Sequence, residues 1–240
     1  MRITAVETIV LRVPDVLHIN DSAQDAIVIR VHTDAGITGV GEVDSSPEVI
    51  RAIIEAPRSH RVCTGLAHVL IGEDPRDIEQ LVRILKKHSF WRLGVIGKSA
   101  ISGIEIALWD IMGKWLNVPV WRLLGGKVRD KVAVYTHLGL GDMRAVYETL
   151  DAEPLIQRAH EVVAKGYRAF KAVFIPYTHY HAPLPEIDKV GRMMEALRAS
   201  VGPSIEIMVD FHGRPASASA ALAYIEALAP SRPMFVEEVL

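Results

Sequence analysis

Apolar and polar residues alternate loosely over residues 3–13, and the run 25–33 concentrates Ile27, Val28, Ile29 and Val31. Such β-branched density with a short period predicts strands. Asp34-Ala35-Gly36 has the composition of a hairpin turn and leads into a third predicted strand over 37–43, giving a three-stranded antiparallel start. From Ser46 the period lengthens. Pro47 stands where a first helical turn tolerates proline, and Asp74-Pro75-Arg76-Asp77 opens a helix whose Ile78, Leu81, Val82 and Leu85 share a face. The most regular helix is predicted over 99–116, with Ile101, Ile104, Leu108, Ile111, Met112 and Trp115 on one side, and it stops before Asn117-Val118-Pro119. Leu123-Leu124-Gly125-Gly126 then marks a boundary.

Beyond it strands and helices alternate. Strands are predicted over 132–136, 169–174, 205–210 and 234–237, and helices over 153–165, 185–200 and 217–228. These strands are apolar on both faces, which requires helices to cover the sheet and predicts parallel βα repeats. Eight such units close a barrel, whereas four leave an open edge. The expected fold is therefore α/β, with an α+β domain over 1–126 and a partial barrel of about four strands over 127–240.

Composition narrows the function classes. The 27 basic residues are scattered among 29 acidic ones for a net charge of −2, so no basic face argues for nucleic acid or an anionic membrane surface. A single cysteine, Cys63, excludes an internal disulfide framework, fits a reducing compartment, and reads as a small semi-buried residue. No apolar run approaches the roughly 18 residues that span a bilayer, and the charged start lacks a leader's apolar core. A cytoplasmic protein is the expectation.

Candidate chemistry gathers at predicted strand ends. Asp210-Phe211-His212-Gly213-Arg214 closes one strand and Glu237-Glu238 closes the next, and in barrels of parallel strands neighbouring C-termini share one mouth. Asp210 and Glu237 are hard oxygen donors suited to Mg²⁺; spacing alone favours two acids that cap helices or face water. His212 falls on the side of Asp210 if the strand continues, as a proton carrier or as a structural histidine. Arg214 either orients a substrate carboxylate or hydroxyl or opens the next loop. Lys171 lies within a strand, where an ammonium is costly unless it faces a polar mouth; it could stabilise a developing negative charge or snorkel from the strand end. The following loop, 175–183, carries Tyr177, His179, Tyr180 and His181, all able to exchange protons near a substrate.

Two further stretches carry a family resemblance. Ala107-Leu108-Trp109-Asp110-Ile111-Met112-Gly113-Lys114, continuing through Pro119 to Leu123-Leu124-Gly125-Gly126, resembles the signature helix of the mandelate racemase/muconate lactonising enzyme family of the enolase superfamily. The opening strands and Thr33-Asp34-Ala35-Gly36-Ile37-Thr38-Gly39-Val40-Gly41-Glu42 are similar to that family's capping domain. The resemblance implies a cap whose loops, near residues 17–24 and 45–47, help choose the substrate, followed by the first half of a modified (β/α)7β barrel. It implies Mg²⁺ held by Asp210, Glu237 and a third carboxylate expected beyond Leu240, with Glu238 matching the acid that usually follows the second ligand.

Within the family, Asp210-Phe211-His212-Gly213-Arg214 looks most like the sugar-acid dehydratases related to galactonate and mannonate dehydratase. This implies loss of the α-proton of a sugar-acid carboxylate, an enediolate, and departure of the β-hydroxyl to give a 2-keto-3-deoxy acid. Enolase-superfamily sites are a standard example of this logic. His212 is then expected to help the hydroxyl leave and Lys171 to stabilise negative charge, with Arg214 and Tyr177 contacting substrate. Val173 stands where the family's Lys-x-Lys pattern has its second lysine, and Val239 where a proline is usual, so the general base is unassigned. The expected partner is a small-molecule sugar acid, in a homo-oligomer, without nucleic acid or membrane. A racemase or epimerase of the same superfamily and a non-catalytic fragment or interaction module are the alternatives.

Overall fold

A computed structural model describes residues 1–12, 14–15, 25–59, 64–88, 94–139 and 150–240. Cys63 and the anticipated cap loop near 17–24 lie outside the described residues. The chain divides into two compact units, the boundary falling between Asp130 and Lys131.

The first unit opens with β1 (Ile3–Arg12), β2 (Asp25–Thr33) and β3 (Thr38–Val43), antiparallel in the order β1-β2-β3. The connection from β2 to β3 turns on Gly36, whose φ of +74° is open to glycine without strain. Period-two patterning has its structural consequence in β2, where Ile27, Ile29 and Val31 are fully buried. Helices α1 (Pro47–Glu55), α2 (Leu66–Leu70), α3 (Ile78–His88), α4 (Gly94–Leu116) and α5 (Val120–Leu123) follow. The long helix α4 begins earlier than residue 99, taking in Val95 and Ile96 and running through Gly97, which is buried within it.

Helix α4 packs on β3 with backbone nearly touching backbone. A Cβ at Gly39 would stand 2.0 Å from the Ala107 carbonyl oxygen, and one at Gly41 would stand 1.9 Å from that of Gly103. Only glycine allows this approach. The signature helix also closes the β3 edge: Asp110 Oδ2 accepts the Val40 amide at 2.9 Å, while Lys114 Nζ donates to the Thr38 carbonyl at 2.7 Å and to Asp110 at 2.6 Å. Edge groups that would otherwise be unpaired are thereby satisfied.

The second unit alternates β4 (Thr136–His137), α6 (Glu153–Ala164), β5 (Ala169–Ala172), α7 (Leu184–Val201), β6 (Glu206–Asp210), α8 (Ala218–Leu228) and β7 (Val236–Glu237). Its four strands are parallel in the order β4-β5-β6-β7. Phe170, Ala172, Ile207 and Val209 enter a core with Leu155, Val190, Met194, Leu197 and Tyr224 from the covering helices. Ser217 caps α8 by accepting the Ala220 amide. Arg198 donates to the carbonyls of Ser231, Gly202, Ile205 and Arg232, tying α7 to the loops that precede β6 and β7.

The architecture is α/β, with an antiparallel α+β unit and part of a parallel barrel sheet. The parallel strands are shorter than expected, β5 ending at Ala172 and β7 starting at Val236, and the first differs most. Residues 132–135 lie outside β4, and Val132 and Val134 are exposed, because pairing with β5 reaches only Thr136 and His137. A β-rich run without a ladder partner has nothing to fix it as strand. Among the described residues no helix is long and apolar enough to cross a membrane.

Candidate functional site

Parallel register brings the strand-end polar groups of the second unit together. Lys171 pairs in register with Met208, one residue pair before Ala172 and Val209, and Asp210 lies opposite Glu237. Lys171 therefore reaches forward toward the C-terminal ends of both neighbouring strands. Its Nζ lies 2.7 Å from Asp210 Oδ2 and 2.9 Å from Glu237 Oε2. Burial grades across the trio: the side chain of Asp210 is 3% exposed, that of Lys171 15% and that of Glu237 38%. The site thus has a dry floor and an open rim.

The chain after Asp210 turns back on it. His212 adopts φ +51°, a left-handed conformation uncommon for a non-glycine residue, and Gly213 follows at φ +59°, which glycine holds without strain. Here the His212 amide donates to Asp210 Oδ1 at 3.1 Å and its Nε2 lies 3.3 Å from Asp210 Oδ2. The Gly213 amide donates to the Glu238 carbonyl at 2.7 Å and the Phe211 amide to that of Glu237 at 3.0 Å. Glu238 is itself left-handed, at φ +45°. Two strained strand ends brace each other, and the imidazole is thrown over the buried carboxylate.

Electrostatics follow from this geometry. Burial pushes the Asp210 carboxyl up, but hydrogen bonds from Lys171 and the His212 amide outweigh it, so the group stays below the ordinary carboxylate value. For Lys171 burial favours the neutral amine, yet the hydrogen bonds to Asp210 and Glu237 prevail and raise its pKa. The trio is an ion cluster of net charge −1.

These residues fit a divalent cation on two observations. Two hard carboxylates already converge on one cationic nitrogen, and ligand atoms of Asp210, His212 and Glu238 lie within 4.8 Å of one another. Asp210 belongs to both sets: Glu237 lies opposite it across adjacent strands and shares its counter-ion, whereas Glu238 groups with it and His212. Carboxylate oxygens are the donor type that Mg²⁺ takes, with waters or substrate oxygens completing its shell.

Arg214 and Tyr177 occupy the neighbouring loops. Arg214 is 4% exposed, donates from Nη1 to the Ile175 carbonyl at 2.8 Å, and stacks its guanidinium 5.0 Å from the centre of the Tyr177 ring, itself 78% exposed. The loops are further joined by a parallel bridge between Thr178 and Pro215 and by Ser217 Oγ donating to the Tyr180 carbonyl at 2.7 Å. Arg214 thus fastens loop to loop and carries the aromatic ring on its outer side. His179, Tyr180 and His181 are exposed along the same loop.

Beneath the site, fully buried Phe211 meets Tyr224 edge-to-face at 6.5 Å, and the Tyr224 hydroxyl donates to Glu186. Sequence reasoning missed this support, since Tyr224 reads as an ordinary apolar position of α8. An aromatic at a core position that carries a hydroxyl needing a partner was the available signal.

Comparison with known proteins bears directly on this arrangement. Residues 3–125 match the domain family described as mandelate racemase/muconate lactonizing enzyme, N-terminal domain. The chain belongs to the mandelate racemase/muconate lactonizing enzyme family. Residues 154–240, which contain all the site residues above, match the enolase C-terminal domain-like family. D-galactonate dehydratase of Klebsiella pneumoniae (strain 342) is 36% identical over 212 residues, covering 88% of this chain and 50% of that protein. The chain thus spans about half the length of this curated relative. Among solved structures, a mandelate racemase/muconate lactonizing enzyme-like protein from Roseovarius sp. TM1035 superposes with a TM-score of 0.82 at 29% identity, covering all of this chain and 60% of that one. An enolase from Agrobacterium radiobacter, bound to Na and L-malate with an ordered active site, gives 0.78 at 31% identity over all of this chain and 55% of that one.

Proposed function

We propose that this chain carries the metal-binding and proton-donating part of a Mg²⁺-dependent sugar-acid dehydratase. The observation that supports this reading most is the convergence of Lys171, Asp210, Glu237 and His212 at the ends of three adjacent parallel strands, in a chain similar to a D-galactonate dehydratase.

Asp210 and Glu237 would hold the cation. When bound, Mg²⁺ supplies Lewis-acid stabilisation of negative charge on a substrate carboxylate. Lys171 adds a positive charge at the floor of the site, where partial burial strengthens its action on an anion. His212 gives its proton to the departing β-hydroxyl, so that the C–O bond breaks with water as the leaving group. The electron pair left by the α-proton forms the C=C bond of an enol, which becomes the 2-keto-3-deoxy acid. Asp210 orients the imidazole through the contact at 3.3 Å. Tyr177 offers an exposed phenol for substrate hydroxyls, and Arg214 acts through it by fixing the ring. The general base is unassigned. The same reading includes a small sugar acid as partner and assembly into homo-oligomers.

The test is incubation with Mg²⁺ and a panel of aldonic and aldaric acids, D-galactonate first, with detection of the α-keto acid. His212→Asn should abolish the keto product while leaving α-hydrogen exchange with D₂O. An unchanged rate in that variant, or retention of the hydroxyl with inversion at the α-carbon, would refute the dehydratase.

A further inference from the structure

The two carboxylates at the strand ends are neutralised in part by a side chain of the protein itself. Asp210 Oδ2 receives the Lys171 ammonium at 2.7 Å and lies 3.3 Å from His212 Nε2, while Oδ1 accepts the His212 amide at 3.1 Å. Both oxygens of this almost fully buried carboxylate are thus engaged by the protein itself. The second carboxylate, Glu237, is engaged by the same ammonium through Oε2 at 2.9 Å. A cation bridging Asp210 Oδ2 and Glu237 Oε2 would need the position that Nζ holds.

We infer that Lys171 is a resident counter-ion of the metal-free site, and that divalent-cation binding displaces its ammonium from between Asp210 and Glu237. This rests on the reading of Asp210 and Glu237 as metal ligands and adds a device to it. Without metal, two acids at paired positions of adjacent strands would repel at short range, and Lys171 removes that repulsion. Once a divalent ion takes over both carboxylates, the ammonium is released on a flexible four-carbon stem. It then becomes available to an incoming substrate anion. Loading the metal and freeing the lysine are one event, so an empty site does not present a free ammonium to anions. The arrangement lowers metal affinity by the strength of the internal ion pairs and lends that strength to the metal-free fold.

The test uses the whole chain, Mg²⁺ as the probe, and three proteins: wild type, Lys171→Met and Asp210→Asn. Calorimetry reads affinity, and urea midpoints are taken without metal and at saturating Mg²⁺. The inference expects Lys171→Met to bind Mg²⁺ about tenfold more tightly or better, equivalent to about 1.4 kcal/mol. It also expects this variant to unfold earlier than wild type without metal and to regain most of the deficit when loaded. Unchanged or weaker binding by Lys171→Met, with binding lost in Asp210→Asn, overturns the displacement and leaves the metal site standing. Tighter binding without loss of metal-free stability also overturns it, since that is the mark of simple charge repulsion. Absence of binding in wild type and Lys171→Met alike defeats the metal reading and the inference together.

Should Lys171→Met fail to fold, lysine-selective ¹⁵Nζ NMR of the wild type decides. A hydrogen-bonded Nζ signal that is lost or moves to the solvent-exposed position on Mg²⁺ saturation is the expected result. A signal unchanged at saturation refutes displacement.

Discussion

Replacing Asp210 by Asn and Glu237 by Gln removes one charge each from acids that hold the same ammonium at nearly equal distances, 2.7 and 2.9 Å. Distance alone predicts equal costs; burial predicts very different ones. Breaking a buried pair by neutralising one partner costs about 3–5 kcal/mol. Asp210→Asn retains an acceptor oxygen and leaves Lys171 its second carboxylate, which reduces the loss to roughly 2–3 kcal/mol. Glu237 is 38% exposed, and pairs in contact with water contribute only about 0–1 kcal/mol. Urea unfolding at pH 7 in the presence of a chelator measures both, read from midpoints at equal slopes.

The Asp210 carboxyl is depressed in the folded state, so its contribution is complete above the ordinary value of about 4 and is lost as pH falls through the folded value. The gap between wild type and Asp210→Asn should shrink in that acid window. Lys171 is shifted upward, so its share of the same pairing holds below about pH 10 and is lost only as pH rises beyond that. Equal costs for the two substitutions, or a gap that widens in acid, would refute burial as the deciding factor.

Three further outcomes are expected. Gly103→Ala should destabilise by about 1–2 kcal/mol in chemical unfolding, because its Cβ would stand 2.3 Å from Val43 Cγ2 and 2.7 Å from Ile29 Cδ1 and overpacking outweighs the helix-propensity gain of about 1 kcal/mol; Gly191→Ala, whose nearest contact would be 3.3 Å, should be neutral or better. Tyr224→Phe should cost about 1–2 kcal/mol from the lost hydrogen bond to half-buried Glu186, with Mg²⁺ affinity unchanged because the ring still supports Phe211. Tyr224 is shifted upward by burial and by Glu186, so this difference should persist up to about pH 10 and fade above it. Arg214→Met should leave the Ile175 carbonyl without its donor and Tyr177 without its cation, seen as faster amide exchange across residues 175–180 than across β6.

Much of this fold is legible in the sequence because local pattern and tertiary need agree. The alternation of Ile27, Ile29 and Val31 announces β2, and the apolar runs ending at Asp210 and Glu237 announce parallel strands whose polar ends share a mouth. What the sequence does not carry is register. Lys171 lies 39 residues before Asp210 and 66 before Glu237, and only the β5-β6-β7 pairing sets its ammonium between them. Arg214 reads as a substrate-orienting group or the start of the next loop, yet it is drawn inward to donate to the Ile175 carbonyl of another loop. Val132 and Val134 have strand propensity without a partner to express it. Such errors arise where a non-local partner, present or missing, decides a local outcome.

The central claim is that Asp210 and Glu237 together hold the catalytic cation. The most direct measurement is the anomalous difference map of crystals of this chain soaked in Mn²⁺, an ion that shares the preference of Mg²⁺ for octahedral oxygen ligation. The account predicts one peak within bonding distance of both carboxylates, with the Lys171 ammonium moved away. A peak held instead by Asp210, His212 and Glu238, or no peak at saturating Mn²⁺, would contradict it.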